Sequence, residues 1–187
     1  CRGSEVLGRP DPHAVMNDPI AAATRLGFPS DGVLLVTDTL RQRMLMCGSE
    51  IEFPISTAHL GLGEHINSYR TPRGFHRIVE RYGHALPPGA VLVSRQFTGE
   101  IRPPTAWNES AGDAILSRIL RLTGCVPGMN AGGEVDTYQR MIYLHGTNQE
   151  HLVGVTPSSH GCIRMKNHDI IRLFDAIADR ETWCWIG

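Results

Sequence analysis

The stretch MIYLHGTNQEHLVGVTPSSHGCIRM, residues 141–165, is the most informative part of the sequence. The run QRMIYLH overlaps its start and is typical of a β-strand that ends at His145. A loop containing Gly, Asn and Pro follows, and Ser158-Ser159-His160-Gly161-Cys162 closes it. The pattern places a histidine at the end of a strand and a cysteine beyond a loop.

These residue types suggest nucleophilic catalysis by a thiol. A free cysteine with a pKa of about 8.5 is only a few per cent thiolate at pH 7, so attack on a carbonyl needs a base or a positive neighbour. His145 and His160 are the candidates for that base. His160 shares a face with Cys162 if this stretch is extended, but a turn at Gly161 would separate them. We favour His145 because a strand end holds it more rigidly.

Gly161 fits a position where the backbone bends tightly, which would leave the amides of Gly161 and Cys162 as donors to the oxyanion of a tetrahedral intermediate. Each essential donor of this kind contributes about 3 kcal/mol. Two other interpretations stay open at this point. Cys162 could be a buried small apolar side chain, or it could bind zinc together with His145 and His160.

The flanking sequence predicts a mainly β fold of mostly antiparallel strands with a few attached helices. VLLVTDTLRQRMLMCG, which follows Gly32, suits a hairpin, and IEFPIS, AVLVSRQ and ETWCWIG are also β-like. Glycines and Thr71-Pro72 indicate long connections between Ala58 and His84, where binding often occurs. A regular βαβ alternation and a G-x-G-x-x-G motif are both absent.

Three segments are predicted to be helical. Asn17-Asp18-Pro19 provides a cap and a first-turn proline for a short helix over IAAATRLGF. AGDAILSRILRLTG, residues 111–124, places Ile115, Ile119 and Leu122 on one face. NHDIIRLFDAIADR, residues 167–180, has Asn167 as its predicted cap and an apolar stripe.

Composition excludes several classes of function. A length of 187 residues predicts one domain, and 18 Lys+Arg against 19 Asp+Glu give a net charge of -1, so we expect no nucleic-acid partner. No apolar stretch approaches the roughly 20 residues of a membrane span. The five cysteines lie too far apart for a C-x-x-C metal motif.

The beginning of the sequence is interpreted as a flexible arm at 1–12 and a short helical lead-in at 13–31. A cysteine at position 1 is compatible with a mature bacterial lipoprotein, which is cleaved before a lipid-carrying cysteine. An arbitrary boundary at Cys1 is an equally plausible alternative.

H-G-T followed by S-H-G-C-I-R-M resembles the active-site signature of the L,D-transpeptidase catalytic domain, the YkuD-like family. The resemblance runs from about Gly32 to Gly187. It continues through VLLVTDTLRQRMLMC, STAHLGLGEHINSYRTPRGFHRI, GAVLVSRQFTGEI and GGEVDTYQRMIYLHGTN, in the family's order. It implies a catalytic domain over 32–187 with the family's β-sandwich fold.

The resemblance also implies roles for individual residues. Cys162 would be the nucleophile and His145 the general base, with Gly146 orienting the imidazole through backbone contacts. The oxyanion pocket would be shaped by Ser159, His160 and Gly161.

Two further residues are predicted to bind substrate. Many family members have Asn where this chain has Arg164, whose planar guanidinium suits a carboxylate of a peptidoglycan stem; the alternative is a surface salt bridge. Tyr143 would share a face with His145, either lining the pocket or packing in the core.

Several residues are interpreted as structural. They are the loop residues Thr71, Pro72, Gly74 and His76, and Cys47, Cys125 and Cys184, which are read as buried small residues. An oxidising envelope would also permit one disulfide, whose pairing the sequence does not select.

The implied reaction forms a thioester between Cys162 and a stem tetrapeptide, without a metal or cofactor. A stem amine as acceptor gives a 3-3 cross-link, a protein lysine gives anchoring of an envelope protein, and water gives L,D-carboxypeptidase activity. A catalytically silent peptidoglycan-binding domain is the alternative from another class. The resemblance further implies inhibition by carbapenems and a place in the bacterial cell envelope, periplasmic or extracytoplasmic; the sequence does not fix the oligomeric state.

Overall fold

The computed structural model describes residues 18–108 and 112–187. The predicted arm at 1–12, the start of the lead-in and Cys1 lie outside these residues. None of the helices in the described ranges is long and apolar enough to cross a membrane.

The elements within these ranges are ten strands, two α-helices and three short 3-10 turns. The helices are α1 (Pro19–Arg25) and α2 (Asn167–Ile177). The strands are β1 (Val33–Asp38), β2 (Arg43–Met46), β3 (Glu52–Ser56), β4 (Gly74–Tyr82), β5 (Ala90–Val93), β6 (Gln96–Ile101), β7 (Ile115–Gly124), β8 (Tyr143–Thr147), β9 (Ile163–Met165) and β10 (Thr182–Ile186). The 3-10 turns are Pro104–Ala106, Gly133–Val135 and Glu150–Leu152.

The strands form one sheet in the order β4-β10-β1-β2-β3-β9-β8-β7-β5-β6. β4 also pairs with β7, so the strands from β4 round to β7 form a closed ring from which β5 and β6 extend. β1 pairs with β10 and β8 with β9 in parallel, and the other described pairings are antiparallel. The predicted mainly β class is confirmed, and the sheet is mixed rather than purely antiparallel.

Several predicted elements are found where the sequence placed them. The hairpin after Gly32 is β1 and β2, and IEFPIS, AVLVSRQ and ETWCWIG contain β3, β5 and β10. At α1 the predicted cap is Asp18, whose Oδ1 accepts a hydrogen bond of 2.9 Å from the Ala21 amide.

The helix predicted over residues 111–124 is wrong, because this segment is the central strand β7. β8 pairs along one of its edges, and β5 and β4 share the other. Residues 116–122 are all buried, so the apolar residues do not alternate as they do in a half-exposed strand. Ser117, at a φ of 67°, lies where the register with β8 shifts, and this bulge breaks the alternation further. The spacings of three and four residues between Ile115, Ile119 and Leu122 are therefore the same as those on one face of a helix.

The helix α2 is confirmed, but its cap is not. Its buried stripe of Ile170, Leu173, Phe174 and Ile177 packs against β7 and β8. Asn167 is the first helical residue, not the cap, and its side-chain amide donates to the carbonyl of Thr147 at 2.9 Å and to Glu150 at 2.8 Å. This residue therefore fastens the helix to the loop after β8.

Two apolar clusters hold the sheet and helices together. The larger lies under α2 and includes Phe53, Leu144, Ile163 and Leu173. The smaller lies under α1 and includes Phe75, Trp183 and Trp185. Because β8 and β9 belong to the larger cluster, the strands that carry His145 and Arg164 are anchored in the core.

The four cysteines of the described residues are free thiols. Cys184 is buried, and Cys47 and Cys125 pack against the apolar cluster under α1. The interpretation of these three as small packing residues fits the structure, and a disulfide between any two of them is absent.

Candidate active site

Two adjacent parallel strands position the catalytic candidates. β8 and β9 pair with Leu144 opposite Ile163 and His145 opposite Arg164. Cys162 immediately precedes β9 and therefore lies at the level of Tyr143. Since side chains alternate between the faces of a strand and paired residues share a face, His145, Cys162, Tyr143 and Arg164 point to the same side of the sheet. Parallel pairing thus brings the two ends of the 141–165 stretch together.

His145 is held in one tautomer by its neighbour. Its ring is buried, and Nδ1 lies 2.8 Å from the carbonyl oxygen of Gly146. A carbonyl only accepts, so Nδ1 carries the proton and Nε2 is the acceptor in the neutral ring. Burial lowers the pKa of His145, partly opposed by this hydrogen bond, so the ring is neutral at pH 7. A neutral ring with an unprotonated Nε2 is the form that can act as a base.

Gly146 is required by close packing around this histidine. A Cβ at this position would lie 2.5 Å from Oδ1 of Asn167 and 2.5 Å from the backbone oxygen of Leu116. The structure therefore shows the backbone contact expected of Gly146 and adds a steric reason for the glycine.

Cys162 is half-buried among apolar and aromatic side chains, next to Leu92, Ile119 and Tyr143. In the described part of the chain its Sγ donates to the carbonyl of Met141, at 3.6 Å, rather than to His145. Burial raises the pKa of the Cys162 thiol to about 11, although a backbone hydrogen bond with Tyr143 acts in the opposite direction. In the resting site, the Cys162 thiol and the His145 imidazole are therefore both neutral at pH 7.

The turn before Cys162 is fixed by its own hydrogen bonds. Ser159 Oγ donates to the Cys162 carbonyl at 2.5 Å and accepts from the Gly161 amide at 3.2 Å, while Thr71 Oγ1 donates to the Gly161 carbonyl at 2.9 Å. Gly161 has a φ of +134°, which favours glycine, and a Cβ there would lie 3.0 Å from Ile142. The prediction that the Gly161 amide is available to an oxyanion is wrong for this conformation, because Ser159 already accepts from it.

His160 is exposed and does not lie beside His145 in a metal site. Its ring meets those of His59 and Tyr69 edge-on, with centroids 5.2 Å and 6.2 Å apart. Across residues 18–108 and 112–187, no three His, Cys, Asp or Glu side chains are grouped to hold a metal. The zinc interpretation of His145, His160 and Cys162 is therefore wrong for these residues.

Arg164 is buried and already occupied by protein groups. Its Nη1 donates to Gln149 Oε1 at 2.8 Å and Ser158 Oγ at 2.9 Å, and its Nη2 pairs with the carboxylate of Asp113. This arrangement argues against the predicted contact with a substrate carboxylate. The alternative of a salt bridge is found, with Asp113 as partner, but it is not on the surface, because the Arg164 side chain is 2% exposed.

Tyr143 packs in the core beside Cys162. Its ring is buried with Leu92 and Ile119, and its hydroxyl accepts a hydrogen bond of 3.1 Å from Arg95 Nη1. The position of Tyr143 thus matches the alternative that it packs in the core. Its hydroxyl is hydrogen-bonded to Arg95, which lies in the turn between β5 and β6.

Comparison with known proteins identifies the family of this chain. A family model described as the L,D-transpeptidase catalytic domain, YkuD, matches residues 32–186. The chain belongs to this family. A search of curated proteins found no match.

Solved L,D-transpeptidase structures share the fold at low identity. L,D-transpeptidase 3 from Mycobacterium tuberculosis, in complex with a faropenem-derived adduct, is 15% identical, with a TM-score of 0.50 over 83% of this chain and 60% of that one. A second structure of the same enzyme is 14% identical, with a TM-score of 0.50 over 83% of this chain and 61% of the other. An L,D-transpeptidase from Mycobacterium smegmatis is 19% identical, with a TM-score of 0.47 over 83% and 58%. This chain spans about three-fifths of the length of these proteins.

Sequence reasoning missed two groups around the site of this L,D-transpeptidase family member. Asp113 neutralises Arg164 from a distant part of the chain. Arg140 donates four hydrogen bonds to the segment 63–70. It directly precedes Met141, whose carbonyl accepts the hydrogen bond from Cys162. Neither belongs to a motif, and nothing short of the tertiary structure shows these contacts.

Proposed function

We propose that this L,D-transpeptidase family member cleaves and transfers peptidoglycan stem tetrapeptides through a thioester on Cys162, with His145 as general base. The observation that carries the proposal is the placement of the two side chains on one face of paired strands, with His145 Nε2 left as the unprotonated nitrogen. Sγ attacks the carbonyl of the third stem residue as the thiol proton passes to Nε2. Collapse of the tetrahedral intermediate breaks the peptide bond, and the proton leaves with the terminal D-amino acid.

The pKa shifts of Cys162 and His145 favour a mechanism in which the thiol proton moves to the imidazole during attack. They do not favour a thiolate–imidazolium pair that is already formed before the substrate binds. A thiolate is disfavoured by burial at Cys162, and an imidazolium is disfavoured by burial at His145. Neither charged form is stable alone at neutral pH. The base is therefore needed at the moment when the carbon–sulfur bond forms.

The second half of the reaction is an attack of an acceptor on the thioester. We propose that the acceptor is the side-chain amine of a neighbouring stem, giving a 3-3 cross-link, or a lysine of an envelope protein, giving anchoring. Water as acceptor would make the enzyme an L,D-carboxypeptidase. Since peptidoglycan stems lie outside the cytoplasmic membrane, the proposed location is extracytoplasmic.

Acylation by a carbapenem tests the nucleophile. A structurally similar enzyme carries a faropenem-derived adduct, so a β-lactam is a suitable probe of the thiol. Intact-mass spectrometry should show one adduct in the parent protein, none in Cys162→Ala, and an unchanged adduct in the matched control Cys47→Ser. His145→Gln should slow acylation by about 10²-fold or more, the usual contribution of a general base.

Incubation with disaccharide-tetrapeptide separates the acceptors. A cross-linked dimer indicates transpeptidation, and loss of the terminal residue alone indicates carboxypeptidation. A folded protein that forms no Cys162-dependent adduct and no product would refute the proposal and favour a peptidoglycan-binding domain.

A further inference from the structure

A cleft of about 230 Å³ lies one residue contact away from Cys162. Its lining includes Ile66, Tyr69, Arg140, Met141 and His160. The carbonyl of Met141 accepts the hydrogen bond from Cys162, so Met141 connects the thiol to this cleft. The cleft is therefore a neighbouring surface for a peptide held at the thiol.

Arg140 builds one wall of the cleft. Its Nη1 donates to the carbonyls of Gly63 and Glu64, at 3.2 and 2.7 Å. Its Nη2 donates to the Ser68 hydroxyl at 3.3 Å and the Arg70 carbonyl at 2.6 Å. One half-buried guanidinium thus joins both ends of the segment 63–70, which carries the cleft residues Ile66 and Tyr69.

Within residues 18–108 and 112–187, the charge of Arg140 is not paired with a carboxylate. All four of these acceptors are neutral, and in the described ranges no carboxylate forms an ion pair with it. Glu64, the nearest acidic residue on the segment, is bound through both carboxylate oxygens by Arg73. The contrast with Arg164, which Asp113 neutralises, is clear.

A positive charge that is half-buried is less screened by salt than one on the surface. Burial has the largest effect on the pKa of the Cys162 thiol and raises it; Asp113 raises it as well, while the charges of Arg164 and Arg140 lower it. The charge of Arg140 therefore reaches the nucleophile, and among the described residues no ion-paired carboxylate offsets it as Asp113 offsets Arg164. The same field favours any other anion in the cleft. In a stem tetrapeptide, the terminal D-amino acid places a carboxylate one residue beyond the attacked carbonyl.

We infer that Arg140 is a specificity-determining residue: it holds the segment 63–70 as a wall of the cleft and gives the cleft the positive charge that selects peptides with a free carboxylate next to the scissile bond. This inference rests on the proposed function for its substrate. Arg164, the residue that the sequence favours for a carboxylate, is instead neutralised by Asp113.

Paired substrates test the inference. The donor tetrapeptide with a free C-terminal carboxylate is compared with the same peptide as its neutral amide, and the readout is the ratio of their kcat/KM values. All four Nη–H groups of Arg140 donate to the protein, so its charge acts on the substrate through space. Arg140→Gln should reduce the preference for the acid about tenfold, the size expected of one nearby charge that is partly shielded from solvent. Arg140→Lys should keep most of the preference, because it keeps the charge. Arg41→Gln is the matched control, since Arg41 lies in the β1–β2 turn with a side chain 81% exposed.

A binding measurement makes the test independent of turnover. In the Cys162→Ala background, calorimetry should show tighter binding of the acid than of the amide, and Arg140→Gln should remove that difference. An equal affinity for the two peptides in the parent background, or an unchanged preference in folded Arg140→Gln protein, would overturn the inference. An Arg140-dependent preference without Cys162-dependent turnover would uphold the inference and refute the proposed function.

Discussion

The reactivity of Cys162 should depend on pH as that of an unusually weak acid. Burial raises its pKa to about 11, against an ordinary value of about 8.5. At pH 7 the thiolate fraction is then about one in ten thousand, compared with about three in a hundred for an unperturbed thiol. Because the thiolate is the species that attacks an alkylating reagent, we expect alkylation to be at least about a hundredfold slower than that of an exposed cysteine.

The assay is alkylation by iodoacetamide between pH 6 and pH 10, followed by mass spectrometry of individual peptides. Peptide resolution is needed because the chain has five cysteines. The rate at Cys162 should rise about tenfold per pH unit throughout this range, since the range lies below the pKa. His145→Gln should leave the profile near neutral pH almost unchanged, because a neutral imidazole supplies no charge to stabilise the thiolate.

A plateau in the alkylation rate between pH 6 and pH 8 would refute this reasoning. It would show that Cys162 is already a thiolate, paired with a protonated His145, in the resting enzyme. In that case the base would act before substrate binds, and His145→Gln would slow alkylation at pH 7. A tenfold rise per pH unit therefore indicates proton transfer during attack on the substrate, and a plateau indicates proton transfer before the substrate binds.

Two further predictions concern stability. His76 is fully buried, and burial lowers its pKa to about 4. Between pH 6.5 and pH 4 the unfolded chain therefore binds more protons at His76 than the folded chain does. This difference contributes about 3 kcal/mol to the free energy of unfolding; the contribution is present above pH 6.5 and is lost as the pH falls to 4. Urea unfolding at pH 7 and pH 4.5 should show this loss, and His76→Gln should flatten it; an equal pH dependence in the variant would contradict the assignment. Gly146→Ala should lower the free energy of unfolding by about 2 kcal/mol or more, because its Cβ would lie 2.5 Å from Asn167 Oδ1 and the Leu116 backbone. Gly99→Ala measures backbone strain without a clash, since its φ is +89° and its Cβ would meet nothing within 4 Å. It should cost about 1 kcal/mol, and a smaller loss at Gly146 than at Gly99 would show that the site relaxes.

The local parts of the fold could be predicted from the sequence. The first hairpin, the helix that begins at Asn167 and the strand that ends in the His145 region all have periodicity or punctuation within a few residues. The juxtaposition of His145 and Cys162 could be predicted only as a hypothesis, because parallel pairing of β8 and β9 is not visible in the sequence. The strand β7 could not be predicted, because it is buried on both faces and its apolar residues do not alternate. Periodicity alone does not distinguish such a strand from a helix with an apolar stripe.

The arginines show why the substrate-binding part of the site could not be predicted. Arg164 lies beside the nucleophile in sequence and on its face of the sheet, so residue type and position both favour a role in binding. Its availability depends on Asp113, which no motif connects to it. Arg140 has no motif, yet its guanidinium is the one of the two whose charge no described carboxylate neutralises. The tertiary structure therefore determines which arginine keeps an unneutralised charge for an anionic substrate, because it pairs Asp113 with Arg164 and no described carboxylate with Arg140. The ratio of kcat/KM for the paired acid and amide peptides measures the effect of that charge.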